Sequence, residues 1–219
     1  MKPILSDLDR QRLDQRVKET EKRTGAQIVL AVVQRSDAYT EIPWIAFALG
    51  ASMASLWVCL RIALSSGWFS QIENLISVGI ILGTGAVFAL LTVLIPAFAR
   101  IFLLKHRAET EVRQYAESLF LRRELFATTE RTGILLLVSL FERSIFLLPD
   151  KGIESRVSEN AMKEVIGEMI QLLKRKNLSG ALETGLEHLS QCLTSSAFTS
   201  PKSSRKDELP DQIIEEKGV

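Results

Sequence analysis

The sequence predicts a small α/β domain interrupted by a pair of transmembrane helices. Three observations carry this reading. Pro43–Leu60 and Leu75–Ala99 are long apolar runs without a charged residue, ended by Arg61 and Arg100. Two short aliphatic runs, Gln27–Val33 and Ile134–Leu140, lie on either side of that pair. The segments around them repeat apolar residues at the 3.6-residue spacing of amphipathic helices.

Taken in order, Leu5–Arg23 is a charged helix with Leu5, Leu8, Leu13 and Val17 as its apolar positions. Ser6 or Asp7 can cap its start, and Gly25 supplies the stop. Gln27–Val33 is apolar on both faces, which predicts a strand covered by helices on both sides. After the apolar pair, Lys105–Phe126 forms a helix with Val112, Ala116, Leu119 and Phe120 on one stripe. Ile134–Leu140 is the second buried strand, and Phe141–Arg143 turns it into a third, Ser144–Leu148. Pro149-Asp-Lys-Gly152 closes that segment with turn chemistry. Two more helices follow, Ser155–Lys174 and Ser179–Leu193. From 195 to 219, Ser, Lys, Pro, Asp and Glu dominate, so this tail is expected to be disordered. Its internal Lys206-Asp-Glu-Leu209 is not a C-terminal retrieval signal.

The two apolar runs match a bilayer core of about 30 Å, which takes about 20 apolar residues per span. Trp44, Trp57, Trp68 and Phe69 stand near the run ends, where interfacial aromatics belong. Ala46, Gly50 and Ala54 in the first run, and Gly79 and Gly83 in the second, are spaced for close helix packing. Pro96 is placed to bend the exit of the second span. Lys18, Lys22, Arg23 and Arg35 precede the spans, and Arg100, Lys105, Arg107 and Arg113 follow them. The connecting segment offers only Arg61, opposed by Glu73. Both termini are therefore expected in the cytoplasm, with the short loop outside. The first 40 or so residues are charged and lack the apolar core of a cleavable signal peptide.

The remaining composition excludes more than it assigns. Lys and Arg number 27 against 26 Asp and Glu, a net charge of +1, which gives no global field for nucleic acid. Cys59 and Cys192 make no disulfide framework. His106 and His188 have no partner at metal-ligand spacing along the chain. No nucleophile is paired with a base, so catalytic residues are not assigned. Gly83-Thr-Gly85 sits inside an apolar span with no strand before it, and so is helix packing. Two uncharged spans offer a transporter no polar pathway.

The order of elements, with Glu21-x-x-Thr24-Gly-Ala-Gln27-Ile-Val, Ala116-x-x-x-Phe120, Thr128 or Thr129, Arg131-Thr-Gly133-Ile-Leu-Leu-Leu-Val-Ser139, Arg143 and Asp150-Lys-Gly152-Ile153, resembles the TPM-domain family. That family includes thylakoid-lumen and photosystem-repair proteins, a nematode receptor modulator and many bacterial membrane proteins. The resemblance covers residues 5–35 and 105–193 and is nearest the bacterial branch, with a membrane hairpin after the first strand. It implies a discontinuous α/β/α sandwich interrupted by transmembrane helices at 43–60 and 75–99. It also implies either assembly or repair of membrane protein complexes, or phosphatase or cation-binding activity. Gln27 stands where many relatives carry Glu, and Pro149 where a small residue is more usual, and both departures weaken the metal-dependent chemistry.

Four residues form the candidate site. Glu130, Arg131, Asp150 and Glu154 flank the second and third strands, where the fold can bring them to one sheet end. Carboxylates there suit a hard divalent cation, and Arg131 suits a forked contact to phosphate. The competing reading is that turn Asp and Arg residues cap helices or pair on the surface. The favoured function is a membrane-tethered interaction module whose partners are the lipid bilayer and another membrane protein. The alternative is a membrane-bound phosphatase or cation-dependent hydrolase.

Overall fold

The computed structural model describes residues 4–64, 71–154, 159–175, 177–195 and 213–218. The chain divides into two units, one made of residues 1–37 and 108–219 and one of residues 38–107. Each is described by itself.

The first unit begins with helix α1 (Asp7–Thr24). Of the two predicted caps, Ser6 is the one used. Its Oγ accepts from the Asp9 N–H at 3.1 Å and donates to Asp9 Oδ2 at 2.7 Å, a reciprocal capping arrangement. That hydroxyl is the main reason the Asp9 carboxyl sits below its ordinary range. Gly25 ends the helix in the left-handed region, at φ 78°, and its N–H reaches Glu21 O. Strand β1 (Gln27–Arg35) follows directly. Strand β2 (Gly133–Ser139) pairs parallel with it, from Gln27 opposite Gly133 to Val33 opposite Ser139. Strand β3 (Ser144–Pro149) returns antiparallel to β2.

Side chains of β1 and β2 alternate between two apolar clusters, as period-two strands must. Ile28, Leu30, Val32, Ile134, Leu136 and Val138 face one layer, built from α1, α7 (Glu159–Lys174) and α8 (Leu178–Ser195). Val29, Ala31, Val33, Leu135 and Leu137 face the other, formed by Val112, Ala116, Leu119 and Phe120 of helix α5 (Lys105–Arg122). The α/β/α sandwich is thus formed, and the doubly apolar strands are its cause. Helix α5 stops at Arg122, short of the expected Phe126, because Glu124 turns left-handed at φ 53° and a 3-10 turn takes Leu125–Ala127.

The expected disordered tail needs correction at its far end. Residues 214–218 form strand β4 (Ile214–Gly218), parallel to β1, giving the sheet order β3-β2-β1-β4 among the described residues. Residues 196–212 lie outside the described residues. Ile213 joins one apolar cluster and Ile214 packs on the other. The two glutamates between them and the edge are anchored individually. Glu215 accepts from an Arg10 Nη at 2.7 Å and from the Ile4 N–H at 2.9 Å. Glu216 accepts from the Tyr115 hydroxyl at 2.5 Å, with Arg122 and Arg123 each 3.5 Å away. β4 pairs with β1 only from Ala31 onward. Nearer the start of β1, the Ile28 N–H donates to the buried Glu21 carboxylate at 2.6 Å, which satisfies a donor that would otherwise be stranded.

In the second unit, α2 (Glu41–Leu64) and α3 (Gln71–Leu94) are the two predicted apolar helices, each long and apolar enough to cross a membrane. Both outrun the predicted 43–60 and 75–99 at the loop side, and Trp68 and Phe69 lie outside the described residues. Pro96 does bend the exit: α3 ends at Leu94, and a short helix α4 (Pro96–Ala99) restarts after an extended Ile95. Ala46, Gly50 and Ala54 face α3 as expected. The α3 partners differ from expectation. Gly79 and Gly83 have nothing within 4 Å of an added Cβ, and Gly85 makes the close approach instead. A Cβ at Gly50 would lie 2.9 Å from the Phe88 ring, and one at Gly85 2.9 Å from the Phe47 ring. Each glycine is therefore the socket for the other helix's phenylalanine, and 83 points elsewhere because two residues on a helix turn the side chain through about 200°. Ser55, Ser77, Thr84 and Thr92 donate to carbonyls of their own helices, so these hydroxyl protons are satisfied within the helix. Arg107 lies 3.6 Å from Glu41, so the two ends of this unit meet.

The Tyr115–Glu216 contact predicts an alkaline limit. Burial first, and then the Glu216 hydrogen bond, push the Tyr115 phenol up to about 12 from 10.0. A raised phenol pKa stabilises the fold fully below pH 10.0 and loses that contribution as pH climbs toward 12. Denaturant unfolding across this window should show a fall in stability that is shallower in Tyr115→Phe. Equal slopes in the two proteins would refute the contact.

Candidate functional site

At the start of β2 and the end of β3, the chain makes two tight excursions that meet. Thr128 holds the first: its carbonyl accepts from the Arg131 N–H at 3.1 Å, and its buried Oγ1 accepts from the Thr132 N–H at 2.9 Å. Arg131 takes the left-handed conformation, φ 57°, uncommon for a residue with a Cβ. Asp150 begins the second. Its N–H donates to Gly133 O, and its Oδ1 accepts from the Lys151 N–H at 2.8 Å. The expected turn over Pro149–Gly152 is instead the cap of a one-turn helix, α6 (Lys151–Glu154), whose Ile153 and Glu154 N–H groups both reach Asp150 O.

Gly152 allows the two excursions to touch. Its N–H donates to Arg131 O at 3.0 Å, and a Cβ there would lie 2.4 Å from Glu130 O and 2.6 Å from Arg131 O. No larger residue fits without moving backbone.

Arg131 and Asp150 therefore come together, with Nε 2.8 Å from Oδ2. The Asp150 side chain is only 4% exposed, whereas the Arg131 side chain is 47% exposed and leans over the Phe126 ring at 5.9 Å. Although the pair is close, the Arg131 N–H is not aimed along a hydrogen bond, and Oδ2 is left without one. The site is thus a buried carboxylate oxygen with charge compensation but no donor directed at it, beside a half-exposed guanidinium. Chemically, this can present a fork of N–H donors to an anion, or offer one oxygen to a cation or proton.

The other two candidates take different places. Glu130 is half-buried and contributes its carbonyl beside Gly152, and Glu154 is exposed at the end of α6. Among the described residues, no three His, Cys, Asp or Glu side chains converge as a metal site. Of the four candidates, Glu130, Arg131, Asp150 and Glu154, the structure brings Arg131 and Asp150 into contact.

The opposite end of the sheet holds a cluster that sequence reading missed. The Ser36 N–H donates to Glu142 Oε1 at 2.9 Å, Ser36 Oγ lies 3.2 Å from the Oγ of fully buried Ser139, and Ser139 donates to the same carboxylate. Arg35 stacks 4.4 Å over Phe141. The available signal was Ser139, a polar residue ending an otherwise apolar buried run. Its hydroxyl needs a partner there, and Glu142 supplies it.

Substituting Gly152→Ala should cost about 1–3 kcal/mol through forced backbone movement. Urea unfolding checks this, and an unchanged midpoint would mean that the two excursions do not touch.

Residues 97–192 match the family model of the TPM domain. No curated protein matches the chain. Among solved structures, the NMR structure of the BA42 protein from the psychrophilic bacterium Bizionia argentinensis is similar. The two share 15% identity at a TM-score of 0.58, over 98% of this chain and 97% of that one. That likeness speaks for the fold alone. The family match lies on α5, β2, β3 and the helices after them, so it is this part of the chain, residues 97–192, that is similar to the TPM domain.

Proposed function

We propose that this chain is a membrane-anchored interaction module, serving the assembly or repair of membrane protein complexes from the cytoplasmic face of a bacterial inner membrane. The observation that supports it best is the outer surface of the α2–α3 pair. Trp44, Leu56, Leu64, Leu75 and Leu94 are 65–78% exposed on helices whose charged residues, Glu41, Arg61 and Glu73, all lie near helix ends. Such a surface needs hydrocarbon or protein to cover it. The meeting of Glu41 with Arg107 supports two spans whose ends emerge on one side. The excess of Lys and Arg beside those ends supports a cytoplasmic location. Reporter fusions after Gln34, within 65–71 and after Lys176 test this. The first and third should report cytoplasm and the middle one the outside; the reverse pattern, or a soluble protein, would sink the reading.

A second reading, phosphatase or cation-dependent hydrolase, rests on one specific observation: the Asp150 oxygen without a hydrogen bond beside the half-exposed Arg131 guanidinium. An arginine fork can grip a phosphate ester while the carboxylate acts on water or a cation. If this reading holds, purified protein turns over a chromogenic phosphate ester and Asp150→Ala loses at least about 100-fold of the rate, the scale of one acid–base group. Absence of turnover in the parent protein, together with a stoichiometric complex with another membrane protein, favours the interaction module.

A further inference from the structure

Strand β4 is held unlike its neighbours in the sheet. Every residue of β2 is buried, whereas no residue of β4 is. β4 lies at the sheet edge and pairs with β1 alone, from Ala31 to Arg35. Its side chains are read one by one. Ile213 and Ile214 enter the two apolar clusters on either side of the sheet. Glu215 is taken by Arg10 and the Ile4 N–H, and Glu216 by Tyr115. Gly218 closes the segment at φ 78°, where an added Cβ would lie 1.6 Å from Arg35 O. Backbone pairing with one edge, joined to separate pockets for successive side chains, is how proteins recognise an extended peptide by strand addition.

We propose that the β1 edge is an acceptor site for an extended acidic segment of a partner protein, which β4 occupies in cis as a competitor. The segment recognised adds parallel to β1 and carries two aliphatic residues, two acids and, two positions further, a glycine. Charge complementarity argues for the acids, since arginines reach the slot from both helical layers, Arg10 from α1 and Arg122 from α5. The slot also has more donors than β4 uses. Arg10 Nε is buried without a hydrogen bond, even as an Arg10 Nη holds Glu215. Arg122 and Arg123 stand 3.5 Å from Glu216, at the outer limit of a hydrogen bond. A buried donor left unmatched is costly, so an occupant with better-placed acids gains where β4 does not. As an edge strand, β4 can leave without parting β1 from β2, and the vacated edge is a ready template for another chain. This partner chemistry rests on the interaction-module reading. Peptide binding in detergent does not depend on membrane orientation, so failure of the slot and failure of the topology show separately.

The probe is a fluorescein-labelled peptide of residues 211–219, titrated by anisotropy against the full-length protein in detergent. In the native chain the tethered β4 competes with it. A chain carrying Glu215→Arg and Glu216→Arg vacates the slot, and should bind the peptide at least about tenfold more tightly than the native chain does. Arg10→Ala added to that chain, or the same two charge reversals made in the peptide, should each cost about tenfold or more. Gly218→Ala in the peptide should weaken binding as well, because its Cβ meets the Arg35 carbonyl. No binding to the vacated chain, equal binding to the native and vacated chains, or binding indifferent to Arg10→Ala and to the peptide's acids would each overturn the proposal. A native chain that runs as a dimer and is split by the peptide would overturn it too, since the occupant is then a second copy. Should the double charge reversal disturb folding, Ile213→Ala, which keeps both acids, vacates the slot instead, and the same outcomes decide.

Discussion

The parallel pairing of β1 with β2 is the constraint on which the rest depends. The two strands are neighbours in the sheet, yet the chain leaves the first unit at Asp37 and re-enters it at Ala108. Parallel neighbours always need a crossover, and here the crossover holds two apolar helices as well as α5. The inserted segment must therefore return to where it left. A helical hairpin of α2 and α3 does this, and the Glu41–Arg107 contact is where the return closes.

Burial on both faces follows from the same pairing. β1 and β2 have no polar side between Ile28 and Val33, or between Ile134 and Val138, so each face must carry a helical layer. The sheet edge beside β1 is then the weak point, since unpaired strand donors there would be shut away from water. Two devices close it: β4 pairs with the second half of β1, and the Glu21 carboxylate takes the Ile28 N–H in the first half. Glu21 leaves α1 one turn before the Gly25 stop, so a left-handed glycine aims an acid at a strand. The glutamates of β4 are held by residues from both helical layers, Arg10 on one side and Tyr115 on the other.

What was legible in the sequence were the features written in periodicity. The doubly apolar strands, the uncharged spans, the Ser6 and Gly25 caps and the stripe on α5 are all local patterns, and each formed within a few residues of its predicted place. The misses are non-local. Ile213-Ile-Glu-Glu216 carries no alternating pattern, and its two glutamates look like solvated surface until Arg10 and Tyr115 are placed beside them. Gly79 and Gly83 have the right spacing for packing, but Phe47 selects Gly85, a choice that depends on helix rotation. Of the site, the meeting of Arg131 with Asp150 could be expected from the strand ends. The left-handed Arg131 could not, because four non-glycine residues among the described ones adopt that conformation without a sequence mark.

The Arg131–Asp150 pair does not explain itself as a source of stability. Withdrawing a carboxylate from water costs several kcal/mol or so, and a partner repays this only with good geometry and hydrogen bonds at the remaining lone pairs. Here Oδ1 is repaid by the Lys151 N–H, but Oδ2 has only the misaligned guanidinium. An asparagine could receive the same backbone bond to its oxygen without a charge to compensate. The Asp150 charge is therefore surplus to the capping of α6, and so is the exposed end of Arg131. Both surpluses face the same corner, reached over the Phe126 ring. The two proposed functions differ in what would use that corner, a partner protein or a small charged ligand, while the fold that builds it is the same.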